Sequence, residues 1–164
     1  MTAAGDGPAV QDFYPEDAAH CFGCGRLNPA GHRFRTRASA ERTVTEFEPD
    51  ASHTALPGAV YGGLIASLLD CHSTGSAAIF ALAREGEAIG SGESPRFVTR
   101  HLAVDFLAPT PMGPLRAVGR LVEATERKVI VESDLWAGGT VTARSRAVLI
   151  RVDERPGRIE TGPT

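Results

Sequence analysis

The sequence predicts an α+β domain in which an antiparallel sheet of about six strands wraps around one long central helix. Three observations carry this reading. Residues 60–84 form one long, mostly apolar segment with helical spacing. Every segment after residue 96 alternates as a strand and is joined to the next by a short turn. Two more alternating segments precede the helix.

In chain order, residues 1–12 are small and polar with Gly and Pro, and are expected to form a disordered tail. The stretch HCFGCGRLNPAG from His20 is rich in turn residues. HRFRTRA from His32 and RTVTEFEP from Arg42 read as half-buried strands, and DASHTALPGA from Asp50 as a loop. In the helical segment Ile65, Leu68, Leu69, Ile79 and Phe80 share a face, and Gly86 supplies a stop. After the polar loop GEAIGSGESP, strands follow from Arg96, Leu115, Lys128 and Thr140, separated by PTPMG, ATER and AGG. Links this short favour antiparallel neighbours. DERPGRIETGPT from Asp153 reads as a flexible tail, leaving residues 13–152 as a single domain. One helix cannot cover both faces of the sheet, so the outer face is expected to need a second copy of the chain.

Composition excludes several classes of function. The chain of 164 residues carries a net charge of -3 and a pI near 5.9, so no nucleic-acid partner is expected. No run of about 18 residues is free of polar interruption, so no membrane span is expected. The first residues show neither a basic region nor an apolar signal core. Three cysteines, an odd number, argue against a disulfide framework. These features together suggest a cytoplasmic protein with reduced thiols.

Asp70 stands out because it interrupts the apolar segment midway. At 100° per residue it shares a stripe with Gly63, Ser67 and Thr74, opposite the apolar one. In a single chain it would face water. Covered by a second copy it would be partly buried, the setting of a general base or nucleophile. Upstream, Tyr61, Gly62 and Gly63 fall where the helix begins, and unpaired N–H groups there could hold an oxyanion. Cys21 and Cys24 form a C-x-x-C, and His20, His32, Cys71 and His72 are possible companions. There is no second C-x-x-C, so no metal is expected. His72 points toward the apolar stripe and reads as a core histidine.

PGAVYGGLIASLLD from Pro57 resembles the signature of hotdog-fold acyl-CoA thioesterases of the phenylacetate-pathway type, G-x-x-H-G-G-x-[IL]-x-x-[LM]-x-D. VDFLAPTPMG from Val104 resembles that family's later strand and turn, and CFGCGRLNPAGHRF from Cys21 the N-terminal segment of one branch. The resemblance implies a hotdog fold, a homodimer or dimer of dimers, and hydrolysis of an acyl-CoA at a subunit interface without a further cofactor. It makes Asp70 the base or nucleophile and Gly62 and Gly63 the binders of the thioester carbonyl. It makes Thr99, from the facing subunit, a group that places the nucleophile. Arg96 and Arg100 are candidates for the CoA phosphates. The family's usual His before Gly-Gly is Tyr61 here, a bulkier hydrogen-bond donor. Two alternatives stand beside the hydrolase: a non-hydrolytic acyl-CoA binding module, and a hotdog hydratase or dehydratase using an Asp–His pair.

Overall fold

The structure, a computed structural model, describes residues 7–152. Short 3-10 turns at Val10–Phe13 and Glu16–Ala18 lead to β1 (Thr36–Ser39) and β2 (Arg42–Phe47). A small hairpin, β3 (Thr54–Leu56) and β4 (Ala59–Val60), precedes α1 (Gly62–Glu85). Then come β5 (Arg96–Phe106), β6 (Leu115–Ala124), β7 (Lys128–Ala137) and β8 (Thr140–Val152). Apart from the hairpin, the strands make one antiparallel sheet in the order β1-β2-β6-β7-β8-β5. This is the hotdog fold.

The helix runs 24 residues because its sequence is rich in Ala and Leu and contains no Pro. It ends where Gly86 takes a left-handed φ of 74°, which lets Gly86 and Glu87 donate N–H groups to Ala83 and Leu82. Its flanks pack on β1, β5, β6, β7 and β8. One apolar cluster forms around Ile79, Phe80, Phe97 and Leu149, and another around Phe34, Leu64, Leu68 and Leu135. By length and hydropathy α1 could cross a membrane, but 78% of its most apolar window is buried inside the domain.

Two expectations need correction. Within the expected tail, residues 7–12 are ordered by contacts: Ala9, Val10 and Gln11 are buried, and the Gln11 side chain hydrogen-bonds both the N–H and the hydroxyl of Thr36. Residues 1–6 and the expected tail 153–164 lie outside the described residues. The outer face of the sheet does not wait for apolar cover. Glu132 pairs with Arg120 and Arg146, and Asp134 with Arg144, each directly across neighbouring strands. A face laced with cross-strand ion pairs is at home in water.

The uncovered element is instead β5, an edge strand of 11 residues. Its pairing with β8 slips between Thr99 and His101, so Arg100 is an extra residue. Before the slip, Phe97 and Thr99 face inward; after it, Leu102 and Val104 do.

Candidate active site

The helix begins without a side-chain cap. Tyr61 is extended, with φ -72° and ψ 143°, and its N–H donates to the His53 carbonyl at 3.1 Å. Its own carbonyl accepts from Leu64 and Ile65 at 3.2 and 3.4 Å. Gly62 and Gly63 therefore present the N–H groups that precede the intrahelical pattern, at the positive end of the helix dipole. The Tyr61 ring folds back over Gly63, where an added Cβ would lie 2.5 Å from it. Only glycine leaves that ring its place. Phe106, at the end of β5, lies against Gly62.

Asp70 is half-buried on the flank of α1 that faces β5. The Thr99 hydroxyl donates to its Oδ1 at 2.6 Å. The sequence paired these residues in function but drew Thr99 from a facing subunit; the structure supplies it from the same chain. Nor does Asp70 simply face water in one chain, because the edge strand covers it in part. A carboxylate held at one oxygen by a hydroxyl can accept a proton from water or attack a carbonyl carbon.

Asp70 and the glycine N–H groups do not meet within one chain. Seven or eight residues at 1.5 Å each separate them by about 11 Å along the axis. Reaction at one carbonyl requires the attacking atom within about 3.5 Å of it.

The arginines divide. Arg100 is exposed at the slip in β5. Arg96 is not presented to a phosphate: its guanidinium stacks 4.3 Å from the centre of the buried Tyr14 ring, and Nη1 is buried without a hydrogen-bond partner. Burial also pushes the Tyr14 hydroxyl well up from its ordinary range.

His72 is fully buried, as its place on the wheel implied. Its Nδ1 lies 2.8 Å from the Thr45 hydroxyl and its Nε2 3.5 Å from Ser76. Thr45 contacts Thr36, which receives Gln11, so a buried polar chain runs from the N-terminal turn to the helix. Burial pushes the imidazole down to about 3 and keeps it neutral.

The fold assembles two further groups, of which the sequence had singled out only the cysteines. Phe22, His32, Phe34, Phe47 and His53 stack into one ring cluster beside the helix start. Burial and the neighbouring His53 lower the His32 pKa. Cys71 also joins Cys21 and Cys24. Hydrogen bonds from the two other thiols hold Cys21 far below the usual thiol range, and Cys24 is pushed up to about 11. Sequence separation hid the ring cluster, since its members come from segments tens of residues apart, and it left Cys71 as one of four possible companions of Cys21 and Cys24.

Residues 57–144 match the model of the Thioesterase superfamily. No curated protein sequence matches. Among solved structures, a Thioesterase superfamily protein from Shewanella loihica PV-4 is 42% identical, over 81% of this chain and 94% of that one, with a TM-score of 0.63. The PaaI protein from the phenylacetic acid degradation operon of E. coli shares the fold at 14% identity, over 74% of this chain and 80% of that one, with a TM-score of 0.59.

Proposed function

The chain belongs to the thioesterase superfamily, and from that premise we propose that it hydrolyses an acyl-CoA with Asp70 as the base or nucleophile. The observation that carries this reading is the 2.6 Å hydrogen bond from Thr99 to a half-buried, mid-helix Asp70. A carboxylate in the middle of the core helix has no capping role, and the fold spends a strand residue on orienting it.

In the proposed reaction Asp70 takes a proton from water, and the water oxygen attacks the thioester carbon. Gly62 and Gly63 N–H groups hold the oxygen of the tetrahedral intermediate, with the Tyr61 phenol beside them. The C–S bond then breaks, giving a free acid and the CoA thiol. The chemistry needs no cofactor other than the CoA carried by the substrate. Because about 11 Å separates Asp70 from the glycines in one chain, we assign the two halves of each site to two copies. The exposed edge β5, with Val98 and Phe106, is where the copies would meet, as a homodimer or a dimer of dimers. Arg100 is the remaining candidate for a CoA phosphate, and a cytoplasmic location suits the reduced thiols.

A hydratase using Asp70 and His72 is disfavoured, since His72 is wholly buried and engaged with Thr45. The substitution of Tyr61 for His keeps the binding module as the second reading. Thiol release measured across aromatic and aliphatic acyl-CoAs separates the two. The expected result is turnover of at least one, falling by about 10²-fold or more in Asp70→Asn with little change in binding. Binding without thiol release by the parent would make the protein a binding module.

A further inference from the structure

Cys21 and Cys24 lie in the loop before β1, and Cys71 lies on α1 next to Asp70. Their Sγ atoms all fall within 4.8 Å of one another, and those of Cys21 and Cys71 are 3.9 Å apart. Three sulfurs bound to one ion at about 2.3 Å stand roughly 3.8–4.0 Å from each other. The free thiols are thus already near the spacing that a bound ion would impose.

The surroundings fit the same purpose. Gly25 N–H closes a tight turn on the Cys21 carbonyl at 2.7 Å, and the N–H groups of Gly23 and Cys24 are directed at the Cys21 sulfur. Outer donors of this kind orient a metal-bound thiolate and stabilise its charge. Gly23 makes room for the third sulfur: a Cβ there would lie 2.3 Å from Cys71 Sγ. Cys24 and Cys71 are buried in the apolar cluster around Phe34 and Leu68, and Cys21 keeps one side open.

We propose that Cys21, Cys24 and Cys71 bind a single thiophilic d10 cation, zinc(II) or copper(I), which ties the N-terminal loop to the helix that carries Asp70. Sulfur-only donors select such ions. Among the described residues no imidazole or carboxylate joins the three thiols. Copper(I) would be held trigonally, and zinc(II) would take a water at the open side of Cys21. The expectation of no metal rested on the lack of a second C-x-x-C; the third ligand comes instead from the helix. The ion takes no part in the proposed hydrolysis.

The test uses the full chain, reduced and stripped of metal under anaerobic conditions. It is titrated with zinc(II) and with copper(I) against chromophoric chelators, and with cobalt(II) as a spectroscopic probe. The proposal expects one ion per chain, a thiolate-to-cobalt charge-transfer band, and a higher melting temperature on loading. Metal analysis of the chain as isolated, rather than the tighter affinity, identifies the native occupant, because availability and not raw affinity decides which ion is loaded. Cys21→Ser, at the half-exposed position, should weaken binding by at least about 10²-fold, more than an outer partner's loss would. This variant keeps the test valid if Cys71→Ser fails to fold. Absence of stoichiometric binding, or equal binding by the variant lacking all three thiols, would overturn the site. So would a Cys21–Cys71 disulfide in the chain as isolated.

Discussion

Acid should destabilise this protein chiefly through one buried imidazole. His72 is wholly buried, and its pKa falls from 6.5 to about 3 because no water or anion reaches the ring. The unfolded chain binds this proton near neutrality, whereas the folded chain refuses it until the pH is far lower. Stability from this group is therefore complete above the unfolded value and is lost as pH falls toward the folded one, at up to about 1.4 kcal/mol per pH unit. Integrated over that window, the loss is about 2 kcal/mol between pH 7 and 5 and about 3 kcal/mol by pH 4. Either figure is a large share of the roughly 5–15 kcal/mol that holds a domain together. His32, whose pKa is also lowered, adds a contribution of the same sign, so the measurement must be differential. In His72→Asn the amide can still reach the Thr45 hydroxyl, which lies at Nδ1 in the parent, and it does not titrate. Urea midpoints at fixed protein concentration should show the parent losing about 2 kcal/mol more than the variant between pH 7 and 5. Parallel pH profiles would show that the ring is protonated inside the fold, and the reasoning from burial would fail.

Three further outcomes concern the site. Gly62→Pro removes an N–H that the helix does not use, and the extended Tyr61 suits a residue before proline. It should leave the helix intact by circular dichroism while thiol release drops by about 10²-fold or more; undiminished turnover would take that N–H out of the site. Refolding Asp70→Asn and Gly62→Pro chains together should restore up to about a quarter of the parent rate, because half of randomly formed dimers carry one intact site. A mixture as inactive as its components would place both groups in the same chain's site. Tyr61→Phe should slow turnover roughly tenfold, the worth of one hydrogen bond to a charged intermediate, and a parent-like rate would reduce Tyr61 to packing against Gly63.

Much of the fold was legible because it rests on local signals. The helix stop at Gly86 is a single-residue property, and each main strand carries its own alternation with a turn beside it. The hairpin β3–β4 was read as loop because strands of three and two residues are too short to show a period. The N-terminal turn was missed for another reason: Gln11 looks like a tail residue until Thr36 lies opposite it. At the site, Asp70 was legible as an anomaly on a helical wheel, and Thr99 through a family resemblance. That they touch depends on β5 being an edge beside the helix, which strand order decides and local sequence does not. The outer face was misjudged similarly, since Glu132 opposes Arg120 and Arg146 only after the register is known. Cys71 was among the companions named for Cys21 and Cys24, but only the fold shows that this residue, 50 positions along the chain, is the one that joins them.

The slip at Arg100 changes how relatives of this chain should be aligned. It lets one strand obey two phases, with odd-numbered residues turned inward up to Thr99 and even-numbered ones from Leu102. A relative lacking that single residue would run as a regular ladder there, with its counterparts of Thr99, Leu102 and Val104 all still turned inward. A one-residue gap at this point therefore leaves the site architecture intact. The same gap placed elsewhere in β5, with the slip kept, would turn every residue beyond it to the other face. Substitution of Arg100 itself, exposed and free of any packing duty, would leave that architecture untouched.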